Sequence, residues 1–175
     1  FFFLLLYYLL IPIYSPIIFL SVSVARIQTL NLVLLSTFNK NSVISKINNN
    51  EEVVLDTLFT NMFAKAMEIS ELTGGAFDIT VAPLVNAWGF GFDPSSDKKW
   101  LSAAEIDSIK QFVGYKKVWI EDSVVVKADP RVQLDASAIA KGYGCDLVAE
   151  YLRAKGCQNF MVDIGGELVV GGVNP

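Results

Sequence analysis

The sequence contains no histidine in its 175 residues, and this absence excludes more chemistry than any other feature of the composition. The printed chain has no imidazole to act as a general base, to activate a serine or cysteine nucleophile, or to bind zinc. Chemistry within this chain must therefore use carboxylates, lysines, hydroxyls, backbone groups or a hard metal ion.

Cysteine is scarce, because the chain holds only Cys145 and Cys157. Their separation of twelve residues matches neither a zinc-ligand spacing nor a CxxC redox motif. We therefore interpret both as free thiols that are buried or half-buried.

Positive charge is also in short supply. The 14 lysines and arginines are outnumbered by 18 aspartates and glutamates, so the net charge is −4 and the pI is about 4.8. The sequence has no basic run and no basic-aromatic stripe. A nucleic acid is therefore not expected as a partner.

Charge is absent altogether from residues 1–25, which are rich in Phe, Leu, Tyr and Ile. A span of about 20 apolar residues can cross a bilayer, but Pro12 and Pro16 disfavour a single straight helix. The segment shows no basic n-region and no Leu-x-x-Cys lipobox. A membrane anchor, an export signal with its start missing and non-native sequence are all open, and we favour export or anchoring.

Residues 26–175 predict one domain in which helices and β-hairpins mix without a regular βαβ alternation, which favours the α+β class. The chain lacks an initiator Met and stops after a glycine-rich strand pattern, so we expect a partial domain without its C-terminal part. We expect helices over 26–35, from 48–52 to about 72, over 102–113 and over 137–155. The expected strands are 117–120, 124–128, 132–134, 159–164 and 167–170.

One chemistry-bearing block leads from a short predicted strand into the last predicted helix: Leu134-Asp-Ala-Ser-Ala-Ile-Ala-Lys-Gly-Tyr-Gly-Cys-Asp146. Unpaired N–H groups and the positive dipole end at a helix start attract phosphate. Lys141 adds a positive charge one turn in, and Gly142 lets a ligand approach the backbone. Without further information, the ordinary interpretation is favoured, with Asp135 as a helix N-cap and Lys141 as a solvated lysine.

A second block, Thr73-Gly-Gly-Ala-Phe-Asp-Ile-Thr-Val-Ala-Pro-Leu-Val-Asn-Ala-Trp-Gly-Phe90, follows the end of a predicted helix. Asp78 is the only acid in this apolar run, and a carboxylate buried without partners costs several kcal/mol. In the ordinary interpretation Asp78 caps a turn, while Trp88 and Phe90 fill the core.

Both blocks, in this order, resemble the FAD:protein FMN transferases, the ApbE family. The segment from Ser36-Thr37-Phe38 to Asn48 is similar to a Ser-Thr-Tyr…Ser…Asn segment of that family, with Phe38 keeping the aromatic ring but not the hydroxyl. Val162-Asp-Ile-Gly-Gly-Glu167 resembles a Gly-Gly turn beside the family's cleft. The resemblance implies an ApbE-like α+β fold.

The resemblance also implies roles for particular residues. It assigns Ala138 to magnesium binding, through its backbone oxygen because the side chain has none. Catalytic residues are expected beyond Pro175, so we expect this fragment alone to bind FAD weakly and not to turn over. The residues that the resemblance places at FAD are Phe38, Ala76, Phe77, Asp78, Asp135 and Lys141.

The reaction that the resemblance implies is Mg²⁺-dependent transfer of FMN from FAD to a Ser or Thr hydroxyl of a partner flavoprotein, with AMP released. Hydrolysis of FAD to FMN and AMP and a non-catalytic, membrane-anchored flavin-binding module are the alternatives. The implied acceptor is a subunit of a redox complex such as a sodium-pumping NADH:quinone oxidoreductase. The implied location is extracytoplasmic, on the periplasmic side of a bacterial inner membrane.

Overall fold

The computed structural model describes residues 36, 39–91 and 100–173. Within these residues, helices mix with two antiparallel hairpins, which confirms the predicted α+β class. A single 3₁₀ turn, Tyr115–Lys117, precedes the first hairpin. In chain order the other elements are α1 (Val43–Asn48), α2 (Thr57–Leu72), α3 (Ala82–Ala87), α4 (Ala103–Lys110), β1 (Val118–Glu121), β2 (Val124–Lys127), α5 (Ala140–Ala154), β3 (Phe160–Ile164) and β4 (Glu167–Gly171).

The start of α2 was predicted wrongly, although its end at Leu72 was right. The expected cap lay among Asn48–Glu52, but Asn48 is the last residue of α1, a helix that the sequence pattern did not reveal. Asn50 has a left-handed φ of 62°, which breaks the helical path. Asp56 caps α2 instead, since its Oδ1 accepts a hydrogen bond from the N–H of Phe59 at 2.7 Å.

The apolar residues that recur at helical spacing predict the core correctly within α2, but not at Val54, which lies before the helix and is 81% exposed. Ile79 and Leu134, both 0% exposed, belong to the same core and are the neighbours in sequence of the two predicted site acids. Each fully buried large side chain contributes about 1.5–3 kcal/mol, so packing fixes the backbone beside those acids. The core residues of α2 are Phe59, Met62, Phe63 and Ala66.

Both predicted hairpins are present. β1 and β2 pair from Val118↔Lys127 to Glu121↔Val124, and β3 and β4 pair from Phe160↔Gly171 to Ile164↔Glu167. Each is closed by two residues with positive φ, as tight hairpin turns require. Gly165 and Gly166 adopt φ values of 60° and 92°, which glycine reaches without steric cost.

The region before α5 differs from the prediction in two ways. Residues 132–134 do not form a strand: only an isolated parallel bridge joins Val81 to Gln133. The helix begins at Ala140 rather than near Ser137, because the Asp135 side chain accepts a hydrogen bond from the Ser137 N–H and holds a turn there. The short helix α3 was also missed, although Pro83 in its first turn is a typical start signal.

α5 packs on the β3–β4 hairpin through a second, smaller core of Cys145, Val148, Ala149 and Val162. Both cysteines are free thiols, with Cys145 buried and Cys157 half-buried, as the sequence predicted. Burial raises the pKa of the Cys145 thiol, which lies 3.1 Å from the backbone oxygen of Glu167.

The part of the chain that the structure describes includes no helix long and apolar enough to cross a membrane. The apolar segment 1–25 and the helix expected over 26–35 lie outside the described residues.

Candidate functional site

The two motif blocks lie side by side in the structure. The N–H of Asp135 donates to the carbonyl of Ile79 at 2.8 Å, and the Val81↔Gln133 bridge continues this contact. Asn86 adds a side-chain hydrogen bond to Gln133 at 3.1 Å. The backbone after Asp78 is therefore joined directly to the backbone that carries Asp135.

The opposite edge of the Gln133–Asp135 segment is held by Asn48. Its Oδ1 accepts from the N–H of Leu134 at 2.7 Å, and its Nδ2 donates to the carbonyl of the same residue at 2.9 Å. This pair of bonds takes the two backbone groups that a further strand would otherwise use, which explains why residues 132–134 remain outside a sheet.

Lys127 supports the end of α1 from the β1–β2 hairpin. Its Nζ donates to the carbonyl of Ile47 at 3.0 Å and to that of Pro130 at 3.2 Å. Burial lowers the pKa of Lys127, while the nearby Asp129 carboxylate acts in the opposite direction. The first hydrogen bond ties the hairpin to Ile47, the residue that precedes Asn48, and the second holds the loop after β2.

The carboxylate of Asp78 is engaged in holding the fold. Its Oδ1 accepts from the N–H of Thr80 at 2.8 Å and from the Thr80 hydroxyl at 2.6 Å, while its Oδ2 accepts from the N–H of Tyr115 at 2.8 Å. The Thr80 hydroxyl in turn accepts from the N–H of Gly114 at 2.7 Å. The acid therefore has the partners that the sequence argument required, and they match the turn-capping interpretation.

The other two residues of that tripeptide differ in exposure. Ala76 is exposed, and Phe77 is half-buried against the main core. The Gly74–Gly75 turn before them has φ values of 61° and 86°. Because the N–H groups of Ala76 and Phe77 donate to the carbonyl and the hydroxyl of Thr73, the tripeptide offers a ligand mainly backbone carbonyls and the half-buried ring of Phe77.

Asp135 is not the N-cap of α5, so that ordinary interpretation was wrong. The cap position is held by Ile139, which makes no side-chain cap bond. Half-buried Asp135 closes the Ser137 turn instead, at 2.7 Å. The turn leaves Ala138 exposed ahead of the helix.

Lys141, the second residue of α5, extends over the turn between β3 and β4. Its Nζ lies 3.4 Å from the carbonyl of Gly165 and 3.9 Å from Oε1 of Glu167. The lysine and glutamate side chains are 47% and 51% exposed, so this pair holds the lysine only weakly. Its ammonium group can therefore turn toward an anion at the start of α5.

The described residues alone do not supply enough ligands for a metal ion. Ala138 can contribute only its carbonyl oxygen, and no group of three or more acidic, cysteine or histidine side chains that could hold a metal occurs within residues 36, 39–91 and 100–173. Mg²⁺ favours six oxygen ligands, so this part of the chain does not form a complete magnesium site.

The structure therefore brings together the segments that carry most of the predicted site residues. The Asp78 and Asp135 segments adjoin, and Lys141 and Ala138 follow within the next turns. Phe38 lies outside the described residues. The clamp formed by Asn48 was missed, because a side chain that bonds a backbone 86 residues away leaves no periodic signal in the sequence.

The sequence model of the ApbE family matches residues 10–175. The chain therefore belongs to the ApbE family. The FAD:protein FMN transferase of Vibrio cholerae is 37% identical over 143 residues, which cover 80% of this chain and 42% of that protein. The FAD:protein FMN transferase of Haemophilus influenzae is 37% identical over 148 residues, with the same coverage.

Solved structures show the same fold. The flavin transferase ApbE from Vibrio cholerae matches with a TM-score of 0.79 and 34% identity, over 86% of this chain and 50% of that one. The Pseudomonas stutzeri flavinyl transferase ApbE in its apo form matches with a TM-score of 0.79 and 32% identity, over 87% and 51%. The chain thus spans about two fifths of the length of the curated relatives and half of the solved chains.

Proposed function

We propose that this protein, in the length its gene encodes, transfers the FMN part of FAD to a Ser or Thr hydroxyl of a partner flavoprotein. In this reaction the hydroxyl oxygen bonds to the FMN phosphorus and releases its proton to solvent, the bond to the bridging diphosphate oxygen breaks, and AMP leaves. Membership of the ApbE family, whose relatives carry this activity in their names, supports the proposal.

The observation that carries the proposal is the hydrogen bond from Asp135 to Ile79 at 2.8 Å. It unites, in one place, the two blocks that the resemblance assigns to FAD. A plain structural domain would not require that the acid-bearing turn before α5 and the segment after Asp78 meet through a backbone hydrogen bond.

Each element has a task in binding. The Ala76–Phe77 backbone and ring would contact the flavin, while the N-terminal end of α5 and Lys141 would neutralise the diphosphate. The Asp135 side chain holds its own turn through Ser137, and the Asp78 side chain holds its own loop through Thr80 and Tyr115. Phosphoryl transfer depends mostly on positioning and on charge neutralisation, and both are available without histidine.

Magnesium dependence is a further part of the proposal. The carbonyl of Ala138 would provide one ligand, and the other ligands would come from the diphosphate and from residues outside those described. Removal of divalent ions with EDTA should abolish transfer, and added Mg²⁺ should restore it. Transfer that survives EDTA would contradict this part alone.

One incubation tests the reaction. The protein is mixed with FAD, Mg²⁺ and an acceptor subunit of a sodium-pumping NADH:quinone oxidoreductase, and the products are separated under denaturing conditions. We expect a fluorescent acceptor band together with one equivalent of AMP. Free FMN with AMP would instead show a FAD hydrolase, and unchanged FAD would leave only a binding module.

We also propose that the protein acts outside the cytoplasm at the inner membrane, brought there by residues 1–25. Fusion of residues 1–25 to alkaline phosphatase, which is active only after export, should give activity in membrane or periplasmic fractions. A cytoplasmic, inactive fusion would contradict the proposed location and leave the reaction untouched.

A further inference from the structure

We propose that Asn48 is a positioning residue of the flavin site, and that it acts by fixing the backbone of Leu134, the residue directly before Asp135. The inference rests on the proposed function of that site. Asn48 itself need not touch the nucleotide.

The geometry of the clamp matches a primary amide. A side-chain amide carries a donor and an acceptor in the same plane, and can therefore copy a peptide group. Both are used here on one residue, at 2.7 Å from the Leu134 N–H and at 2.9 Å from its carbonyl. An aspartate at this position could make the first bond but, when ionised, not the second.

Among the described residues, the backbone of Leu134 has no hydrogen-bond partner on that side other than Asn48. Successive residues of an extended chain direct their backbone groups to opposite edges, and the edge toward the second motif block is used by Gln133 and Asp135. Leu134 is 0% exposed, so water cannot easily replace Asn48. Loss of the amide would leave buried backbone groups unpaired.

Asn48 is itself held in place by the packing of α1 and by a hydrogen bond from Lys127. Ile44 and Ile47 anchor α1 in the main core, and Lys127 bonds the carbonyl of Ile47 at 3.0 Å. The position of Asn48 is therefore fixed by the packing of α1. Its two hydrogen bonds in turn fix the backbone that leads into the Asp135 turn and the start of α5. Because a site whose groups are held in their bound arrangement binds its ligand more tightly, the clamp should matter for FAD affinity.

The test compares Asn48→Asp and Asn48→Ala with the matched control Asn49→Asp. Asn49 is the exposed C-cap of the same helix, so its substitution adds the same charge one residue away. The KM and kcat for FAD are measured against pH in the natural-length protein. Urea unfolding checks that every variant is folded under assay conditions.

At about pH 7.5, where an ordinary aspartate is ionised, we expect Asn48→Asp to raise the KM for FAD about tenfold, with a smaller change in kcat. As the pH falls, protonation of the new carboxyl group restores the donor to the Leu134 carbonyl, so the ratio to the wild type should shrink. Asn48→Ala should show a similar loss at every pH, and Asn49→Asp should stay within about twofold.

The outcomes separate this inference from the proposed function. A wild type that neither binds nor transfers flavin would refute the proposed function and with it this inference. If the wild type is active, the role of Asn48 alone is overturned by either of two results. One is an Asn48→Asp variant with the KM of the wild type, and the other is an Asn48→Asp variant whose KM is raised equally at every pH. If the variants do not fold, amide exchange of the wild type decides, because a Leu134 N–H that exchanges without protection would exclude the clamp.

Discussion

Replacing Asp78 by asparagine should destabilise the protein rather than merely weaken flavin binding. The carboxylate accepts three hydrogen bonds, two from Thr80 and one from Tyr115, and Thr80 is completely buried. In Asp78→Asn the amide oxygen can still accept from Thr80, but the NH₂ group then faces the N–H of Tyr115. One apposed donor pair at a half-buried site costs about 1–3 kcal/mol.

Urea unfolding, followed by tryptophan fluorescence, measures this cost. We expect the free energy of unfolding to fall by about 2 kcal/mol in Asp78→Asn and by about 2–5 kcal/mol in Asp78→Ala, which orphans three donors. Asp122→Asn is the matched control, since Asp122 is exposed in the β1–β2 turn, where asparagine also tolerates the left-handed φ of 47°. It should change stability by less than about 0.5 kcal/mol.

The result that refutes this reasoning is specific. If Asp78→Asn unfolds like the wild type while its FAD affinity collapses, the carboxylate acts on the ligand and its hydrogen bonds to Thr80 and Tyr115 are not the reason for its presence. Equal stability and equal affinity would show that the three hydrogen bonds contribute nothing.

Three further outcomes follow from the packing and the charges. Met62→Ala should lower the free energy of unfolding by about 2–5 kcal/mol in urea titration, because Met62 is fully buried in the main core. A thiol reagent should label half-buried Cys157 well before buried Cys145, and equal rates would contradict the burial of the latter. The hydrogen bonds with Arg131 lower the pKa of Asp129 to about 2, and NMR titration should show this pKa returning toward 3.8 in Arg131→Gln. Because the pKa is depressed in the folded state, the pair's contribution to stability is present above about pH 4 and is lost as the pH falls toward 2.

The sequence was a good guide wherever the controlling interactions are local. The helix expected over 102–113 begins where it was predicted, at a capping box of Ser102 and Glu105, and it ends at Lys110. The Gly165–Gly166 turn and the Leu72 helix end were also found in place. These features depend on neighbours in sequence, so residue type and spacing are enough to identify them.

The sequence failed where a distant partner decides the local structure. Asparagine is a good N-cap residue, yet Asn48 does not cap α2. It is the last residue of α1, and its side-chain amide hydrogen-bonds the backbone of Leu134. The same bonds prevent residues 132–134 from becoming a strand, and α5 begins only after the Asp135 turn. Tertiary hydrogen bonds of this kind leave no pattern in composition or periodicity.

The candidate site shows the same contrast between features set by neighbours in sequence and features set by distant partners. The motif blocks identified which segments matter, and the family assignment that they suggested is confirmed. What the blocks could not reveal is how their side chains are used: the Asp78 carboxylate faces Thr80 and Tyr115, and Asn48 supports the site from outside both blocks. The individual ligand roles assigned by resemblance stay predictions.

The most direct measurement is the FAD affinity, by isothermal titration with Mg²⁺, of the natural-length protein carrying Asp135→Ala and Lys141→Ala together. Loss of a charge-assisted contact and of the turn that presents it should weaken binding about thirtyfold or more. The control is Asp146→Ala with Lys155→Ala, which removes the same two charges from exposed positions on and just after α5 and should bind like the wild type. Unchanged affinity in the Asp135 and Lys141 double variant would contradict a nucleotide site at the start of α5.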